Sequence, residues 1–248
     1  MSRDTVQHVS DPGPDLLLEA TGLRKTFGDF TAVDGIDFAV ARGESFGFLG
    51  PNGAGKSCTM KMVGCVSPAT GGTLRLFGQD PATHGPQIRA RLGVVPQKDN
   101  LDEELTVQEN LWIYGRYFGL SRSEVRSRAA ELLAFAQLTD RAGSKVEPLS
   151  GGMKRRLTIA RSLISRPEIL LLDEPSLGLA PLAVDGIFKA FTEIRELGTT
   201  ILLVEQRAQR TVALANRTHV LVGGELRMTL GPADADDTEK IIAAYLAL

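Results

Sequence analysis

The chain has 248 residues, 43% of them hydrophobic, enough to bury a sizeable core as one large domain or one domain carrying an inserted lobe. Its 28 Lys and Arg against 30 Asp and Glu leave a formal net charge of −2, which gives no support to nonspecific nucleic-acid binding, where many cations must neutralise phosphates. No apolar run approaches the about 20 residues that a helix needs to cross a bilayer, so any role at a membrane must come through a partner.

The polar start MSRDTVQHVSDPGPD lacks the apolar stretch of a signal peptide, and residues 1–15 read as a disordered leader. From Leu16, LLLEATGLRKTF and TAVDGIDFAV alternate apolar and polar residues around a Gly-Asp turn, the pattern of an antiparallel hairpin. SFGFLG is a short buried strand, followed by a helix from Gly55 to about Ser67 that stops near Pro68. That helix would hold both cysteines, Cys58 and Cys65, too far apart for a disulfide within it; reduced thiols of a cytosolic protein are the plain reading. GTLRLFG and LGVVPQ are further strands. Thr106 to Leu120 sets Val107, Leu111, Trp112, Tyr114 and Phe118 at helical spacings, and Ser121 with Glu124 makes a capping box for a second helix whose apolar face is Ala129, Leu132, Leu133 and Ala136. Residues 98–147 therefore read as a helical subdomain inserted between core segments 16–97 and 148–248. A helix from Gly151, the strand EILLLDE, a helix to Leu197, the strand TTILLVE, a short helix, the hairpin THVLVGGELRMTL and a last amphipathic helix from Glu239 complete the chain. Strands alternating with helices imply an α/β fold with a mostly parallel sheet, preceded by an antiparallel β-subdomain.

Three motifs carry chemistry. GPNGAGKS, comprising Gly50, Pro51, Asn52, Gly53, Ala54, Gly55, Lys56 and Ser57, fits the phosphate-binding pattern G-x-x-x-x-G-K-[ST] between a buried strand and a helix. Backbone N–H groups at such a helix start favour phosphate, Lys56 would reach the β and γ phosphates, and the Ser57 hydroxyl would bind Mg²⁺. ILLLDEP is a doubly covered strand with two acids directly after it, where open α/β sheets put their ligand sites. Asp173 would hold Mg²⁺, and Glu174 would act as general base toward water or, in the plainer alternative, cap the next helix. In LSGGMKRRL, Ser150 is a helix N-cap, and Gly151 and Gly152 let a phosphate approach exposed amides.

GPNGAGKS, VVPQ ending in Gln97, LSGGMKRR and ILLLDEP, in this order, resemble the ABC ATPase family from Leu16 to Leu248. The resemblance implies a cytoplasmic ATPase, peripheral on the inner face of the cell membrane, that hydrolyses ATP with Mg²⁺ and drives integral membrane transporter subunits. It implies a homo- or heterodimer of ATPase subunits, with two ATPs sandwiched so that Ser150 and Gly152 contact nucleotide on the partner's P-loop. Gln97, the Q-loop glutamine, would contact Mg²⁺ and the attacking water. Phe27 would stack on adenine, although Phe at that position is equally well read as core.

Three positions depart from the family pattern. Cys58 replaces a hydroxyl that touches the α phosphate, and a thiol is a weak donor. Ala180 replaces the D-loop acid, and Gln206 occupies the place of the switch histidine, able to donate a hydrogen bond but not to carry charge. EPSLGLAP, ILLVEQ and IIAAYLAL resemble branched-chain amino-acid importer ATPases, whereas FGFLGPNGAGKS, GVVPQKDNLDEELTVQENL and LSGGMKRRLTIARSLI resemble drug and nodulation-signal exporter ATPases. The chain thus reads as a mosaic joined near Pro175. The exporter part contains the lobe expected to meet the membrane subunit, which favours export. The alternatives are an importer ATPase, a weakly active half of a heterodimer, and an ABC ATPase of translation or repair; the charge and the single set of motifs speak against the last.

Overall fold

Alternating patterns become one sheet and continuous apolar runs become another. In the computed structural model, which describes residues 15–246, β1 (Leu16–Phe27) and β2 (Phe30–Ala41) form the expected hairpin, with Phe27 opposite Phe30 across Gly28 and Asp29. The helix α1 (Lys56–Val63) follows β3 (Ser45–Leu49), and β4 (Gly71–Leu76) joins the free edge of β1, giving an antiparallel sheet in the order β2-β1-β4. After α2 (Pro81–Arg89) and β5 (Leu92–Val95) come α3 (Val107–Tyr117) and α4 (Arg122–Phe135). The chain continues through α5 (Gly151–Ser162), β6 (Ile169–Asp173), α6 (Pro181–Glu196), β7 (Thr200–Val204), α7 (Ala208–Leu214), β8 (Arg217–Val222), β9 (Glu225–Leu230) and α8 (Thr238–Leu246). The second sheet runs β5-β6-β7-β3-β8-β9, parallel except for β9, which pairs antiparallel at one edge.

The strand period of two divides the core. Ile169 and Leu171 of β6 with Leu202 and Val204 of β7 pack toward the antiparallel sheet and α1, joined there by Phe46 and Phe48 of β3. Leu170, Leu172, Ile201 and Leu203 point the other way, into a cluster with α5, α6 and the lobe residues Leu111, Leu132 and Leu133. Each of these side chains is almost fully buried, worth roughly 1.5–3 kcal/mol apiece relative to exposure. Apolar contact on both faces is why β3, β6 and β7 read as unbroken apolar runs rather than alternating ones.

Two capping boxes start the lobe helices. Thr106 and Glu109 exchange bonds of 3.3 and 2.8 Å at α3, and Ser121 and Glu124 do the same at 3.3 and 2.8 Å at α4. The structure departs from expectation elsewhere. Helix α2 has a poor local signal, with Gly85 and Pro86 inside it and a kink at His84; Asp80 starts it by accepting from Ala82 N at 2.9 Å, with Pro81 in the first turn. Helix α1 ends at Val63 rather than near Ser67, so Cys65 lies beyond it at φ 55°, and the two cysteines do not share a helix. Most of the expected leader, residues 1–14, and the last two residues of the expected final helix lie outside the described residues. Asp15 is held: its carbonyl accepts from Arg42 N at 2.9 Å, and its carboxylate accepts from Arg42 Nε at 2.7 Å.

Candidate functional site

The strand order brings the carboxyl ends of β5, β6, β7 and β3 side by side, and each of the four strands leads directly into a candidate residue or loop. β3 leads into the Gly50–Ser57 loop. A Cβ on Gly50, at φ 143°, would stand 2.1 Å from Leu221 O, and one on Gly55, at φ 97°, would stand 2.4 Å from Ala32 O. The loop threads between two backbones where no side chain fits. Lys56, 4% exposed, donates from Nζ to Gly50 O at 2.7 Å and to Pro51 O at 2.9 Å. Burial pulls its pKa below the usual lysine value, opposed by the carboxylates of Glu174 and Asp173. Pro51, Asn52 and Gly53 are exposed, Ala54 is buried, and Ser57 and Cys58 are half-buried. A cavity of about 180 Å³ is lined by residues 52–58 together with Phe30, Ala32 and Glu174. Larger depressions of about 510 and 700 Å³ lie beside α2, away from these groups; chemistry rather than volume locates the site.

β6 delivers the two acids. Burial raises the pKa of Asp173, the neighbouring Glu174 raises it further, and Lys61, Lys56 and a hydrogen bond from Ser57 oppose the rise. Asp173 Oδ1 is buried without a hydrogen-bond partner. Glu174 is 6% exposed and sits at φ 44°, a left-handed conformation that costs a non-glycine residue about 1–2 kcal/mol. Its N–H donates to Val204 O at the end of β7 at 2.8 Å, which locks the turn and aims the carboxylate back over the sheet. There Oε2 accepts from Gln97 Nε2 at 2.8 Å and from Gln206 Nε2 at 3.1 Å. Glu174 is no helix cap: α6 begins seven residues later, with Ala180 as its N-cap and no side-chain cap bond. Three residues from three loops thus meet on one oxygen.

Glu205 was not singled out in the sequence, yet it is 2% exposed and binds both sides of the site. Its Oε1 accepts from Ser176 N at 2.8 Å and its Oε2 from Gln206 N at 3.0 Å, which joins the D-loop to the switch position. The available signal was an acid closing an apolar run, ILLVE, as in ILLLDE.

Ser150 is the N-cap of α5, accepting from Met153 N at 3.3 Å, and stands exposed with Gly151 beside it. None of Ser150, Gly151 and Gly152 lines the P-loop cavity of their own chain. Gly152 also has a packing reason to be glycine, since a Cβ there would meet Ala183 Cβ at 2.9 Å. Phe27 is 54% exposed at the hairpin end, with Lys25 Nζ 4.9 Å from its ring centre, so it is not core. Its cross-strand neighbour Phe30, 62% exposed, is the ring that lines the cavity.

Residues 33–177 match the ABC transporter family. The chain is 44% identical over 223 residues to Nod factor export ATP-binding protein I of Ralstonia nicotianae, covering 88% of this chain and 70% of that protein. It is likewise 44% identical over 224 residues to the protein of the same name from Cupriavidus metallidurans, covering 90% and 74%. These alignments are longer than the 175 residues up to Pro175, so likeness to exporter ATPases runs past the apparent join. Among solved structures, cbiO1 of Clostridium perfringens, part of the ABC transporter complex cbiONQ, superposes with TM-score 0.83 at 26% identity, covering 92% of this chain and 93% of that one. A dimeric ATP-binding cassette in a post-hydrolysis state with ADP and phosphate superposes with TM-score 0.77 at 27% identity, covering 87% and 98%.

Proposed function

This chain belongs to the ABC transporter family as an ATP-binding, ATP-hydrolysing subunit, and on that premise we propose that it closes as a dimer over ATP and powers export through separate membrane subunits. The observation that carries the proposal is the convergence of the Gln97 and Gln206 amides on Glu174 Oε2, beside Lys56 and Asp173. A carboxylate fixed by two donors, at the rim of a cavity that also holds a P-loop, is in position to take a proton from water while the γ phosphate departs. Lys56 neutralises phosphate charge, and the amides of residues 53–58 cradle the phosphates.

The donors fit Mg²⁺. Beside nucleotides this ion takes one or two carboxylates plus phosphate oxygens rather than an all-protein cage. Asp173 offers a buried oxygen without a protein partner, the Ser57 hydroxyl acts on the same carboxylate, and no cluster of three or more His, Cys, Asp or Glu occurs among the described residues. Ser57, Asp173 and Gln97 would hold the ion, which when bound neutralises charge on the β and γ phosphates.

Exposed Ser150 and Gly151, outside their own chain's cavity, support a role on the partner's nucleotide. The exposed rings of Phe27 and Phe30 supply faces for adenine. Segments 16–97 and 148–248 act as the ATPase core, and 98–147 as the helical subdomain that meets the membrane subunit. The depression of about 700 Å³ between α2, β5 and α3, lined by Val66, Val94, Tyr114, Tyr117, Phe118 and Leu120, supports that contact. Among the described residues no helix is long and apolar enough to cross a membrane, which suits a peripheral subunit.

Lys56→Ala and Ser150→Arg variants test the shared site. Each alone should lose ATP hydrolysis, and mixing the two should restore it, because one mixed interface joins an intact P-loop to an intact Ser150. Absence of rescue between two folded variants rejects the trans arrangement. A second reading, the weakly active half of a heterodimer, draws on Cys58, uncapped Ala180 and the uncharged Gln206. Negligible hydrolysis by the pure wild-type chain would select it.

A further inference from the structure

Helix α5 carries more than Ser150. At every third position it turns a polar group, Arg155, Thr158 and Arg161, toward the segment after β5. Arg155 Nη1 donates to Pro96 O at 2.6 Å and to Asp99 Oδ1 at 3.2 Å, and Thr158 Oγ1 donates to the same Asp99 oxygen at 3.0 Å. Arg161 Nη1 donates to Asn100 O at 3.0 Å, and its Nη2 donates to Asn100 Oδ1. The Q-loop backbone on both sides of Gln97 and Lys98 is therefore clamped to α5.

Arg155 alone reaches further. Its Nε donates to Pro175 O at 2.7 Å and its Nη2 to Asp173 O at 3.4 Å, the carbonyls on either side of Glu174. The residue is 3% exposed. Burial of a cation is unfavourable, and Arg155 has one carboxylate close by, Asp99, with Glu205 and Asp173 acting at longer range. What satisfies the guanidinium is its fork of N–H donors, matched to carbonyls from two separate loops. An ammonium at this place is a single point and cannot span both loops.

We propose that Arg155 is a positioning residue of the hydrolytic site: by tying Pro96 O to the carbonyls flanking Glu174, it holds the Gln97 amide against Glu174 Oε2. Movement of the Ser150 helix then reaches the chain's own Gln97–Glu174 pair through this guanidinium. The proposal rests on the roles given above to Gln97 and Glu174.

The test compares full-length Arg155→Met, Arg155→Lys and Glu174→Gln with wild type, using a fluorescent ATP analogue, steady-state ATPase assays and limited tryptic digestion. For Arg155→Met, kcat should fall by about 10²-fold, the scale of loss when reacting groups are misplaced by an ångström. KM and analogue affinity should stay unchanged, and cleavage after Lys98, exposed in the Q-loop, should accelerate, whereas cleavage after the exposed Lys61 of α1 should not. Arg155→Lys should recover part of kcat, and it carries the test alone if the Met variant does not fold. The proposal is overturned if cleavage after Lys98 keeps its wild-type rate in a folded variant, if KM and kcat change together, or if Lys substitutes fully. An inactive wild type, or a fully active Glu174→Gln, faults the reading of the site instead; the cleavage measurement then still decides whether Arg155 holds the Q-loop.

Discussion

Replacing Glu174 with Gln removes a proton acceptor and a negative charge while leaving the side chain's size unchanged. The new amide oxygen can occupy the place of Oε2 and keep both bonds, from Gln97 at 2.8 Å and from Gln206 at 3.1 Å, so the site should retain its shape. On the proposed role of Glu174 as general base, turnover should fall by about 10²–10⁴-fold, or about 3–5 kcal/mol of barrier. Two electrostatic consequences follow from the neighbours. The pKa of Asp173 drops back toward the ordinary carboxylate range, because Glu174 is one of the groups raising it. Lys56 loses the larger of the two carboxylate influences that oppose its desolvation. Stability should change little, since relief of the repulsion on Asp173 offsets the loss of carboxylate support for buried Lys56. Phosphate release with saturating ATP and Mg²⁺ measures the loss, binding of a fluorescent ATP analogue checks that the pocket survives, and gel filtration with ATP should reveal an accumulated dimer. Wild-type turnover in this variant would take Glu174 out of the mechanism. Loss of analogue binding would mean that the carboxylate shapes the nucleotide pocket instead.

The exposed N-cap of α6 is Ala180, with extended backbone and no side-chain acceptor, so Ala180→Asp should stabilise the protein by about 1 kcal/mol, read as a Tm rise of about 2–4 °C. His219 is buried against Phe46, with ring centres 4.7 Å apart, and desolvation followed by Arg217 lowers its pKa from 6.5 to about 4. The unfolded chain therefore binds this proton below pH 6.5, whereas the folded chain does so only near 4; the stabilisation present above pH 6.5 is lost as pH falls through that window. The full span is worth about 3 kcal/mol, and His219→Gln should flatten the difference between urea midpoints at pH 7.5 and pH 4.5. An identical pH dependence in the two proteins would remove His219 from the acid limb.

Much of this protein was legible in its sequence because the relevant signals are local. Continuous apolar runs marked β3, β6 and β7, since a strand covered on both faces has no polar side. The spacing within GPNGAGKS marked a loop whose Gly50 and Gly55 run where an added Cβ would stand 2.1 and 2.4 Å from a neighbouring backbone oxygen, and Ser150 was readable as the cap of the helix that follows it. Helix α2 was not legible: Gly85 and Pro86 oppose it locally, and Asp80 with tertiary packing secures it. Only the tertiary structure decided that β7 lies between β6 and β3, and that order carries Gln206 and Glu205 to the acids of β6. It also turned Glu174 through a left-handed backbone onto Gln97 and Gln206, left Phe27 exposed with Phe30 at the cavity, and buried Arg155 between two loops. Those contacts join residues up to 77 positions apart, as in Gln97 with Glu174, and a sequence pattern records what chain neighbours must do, whereas a bond between distant loops depends on which strands pair.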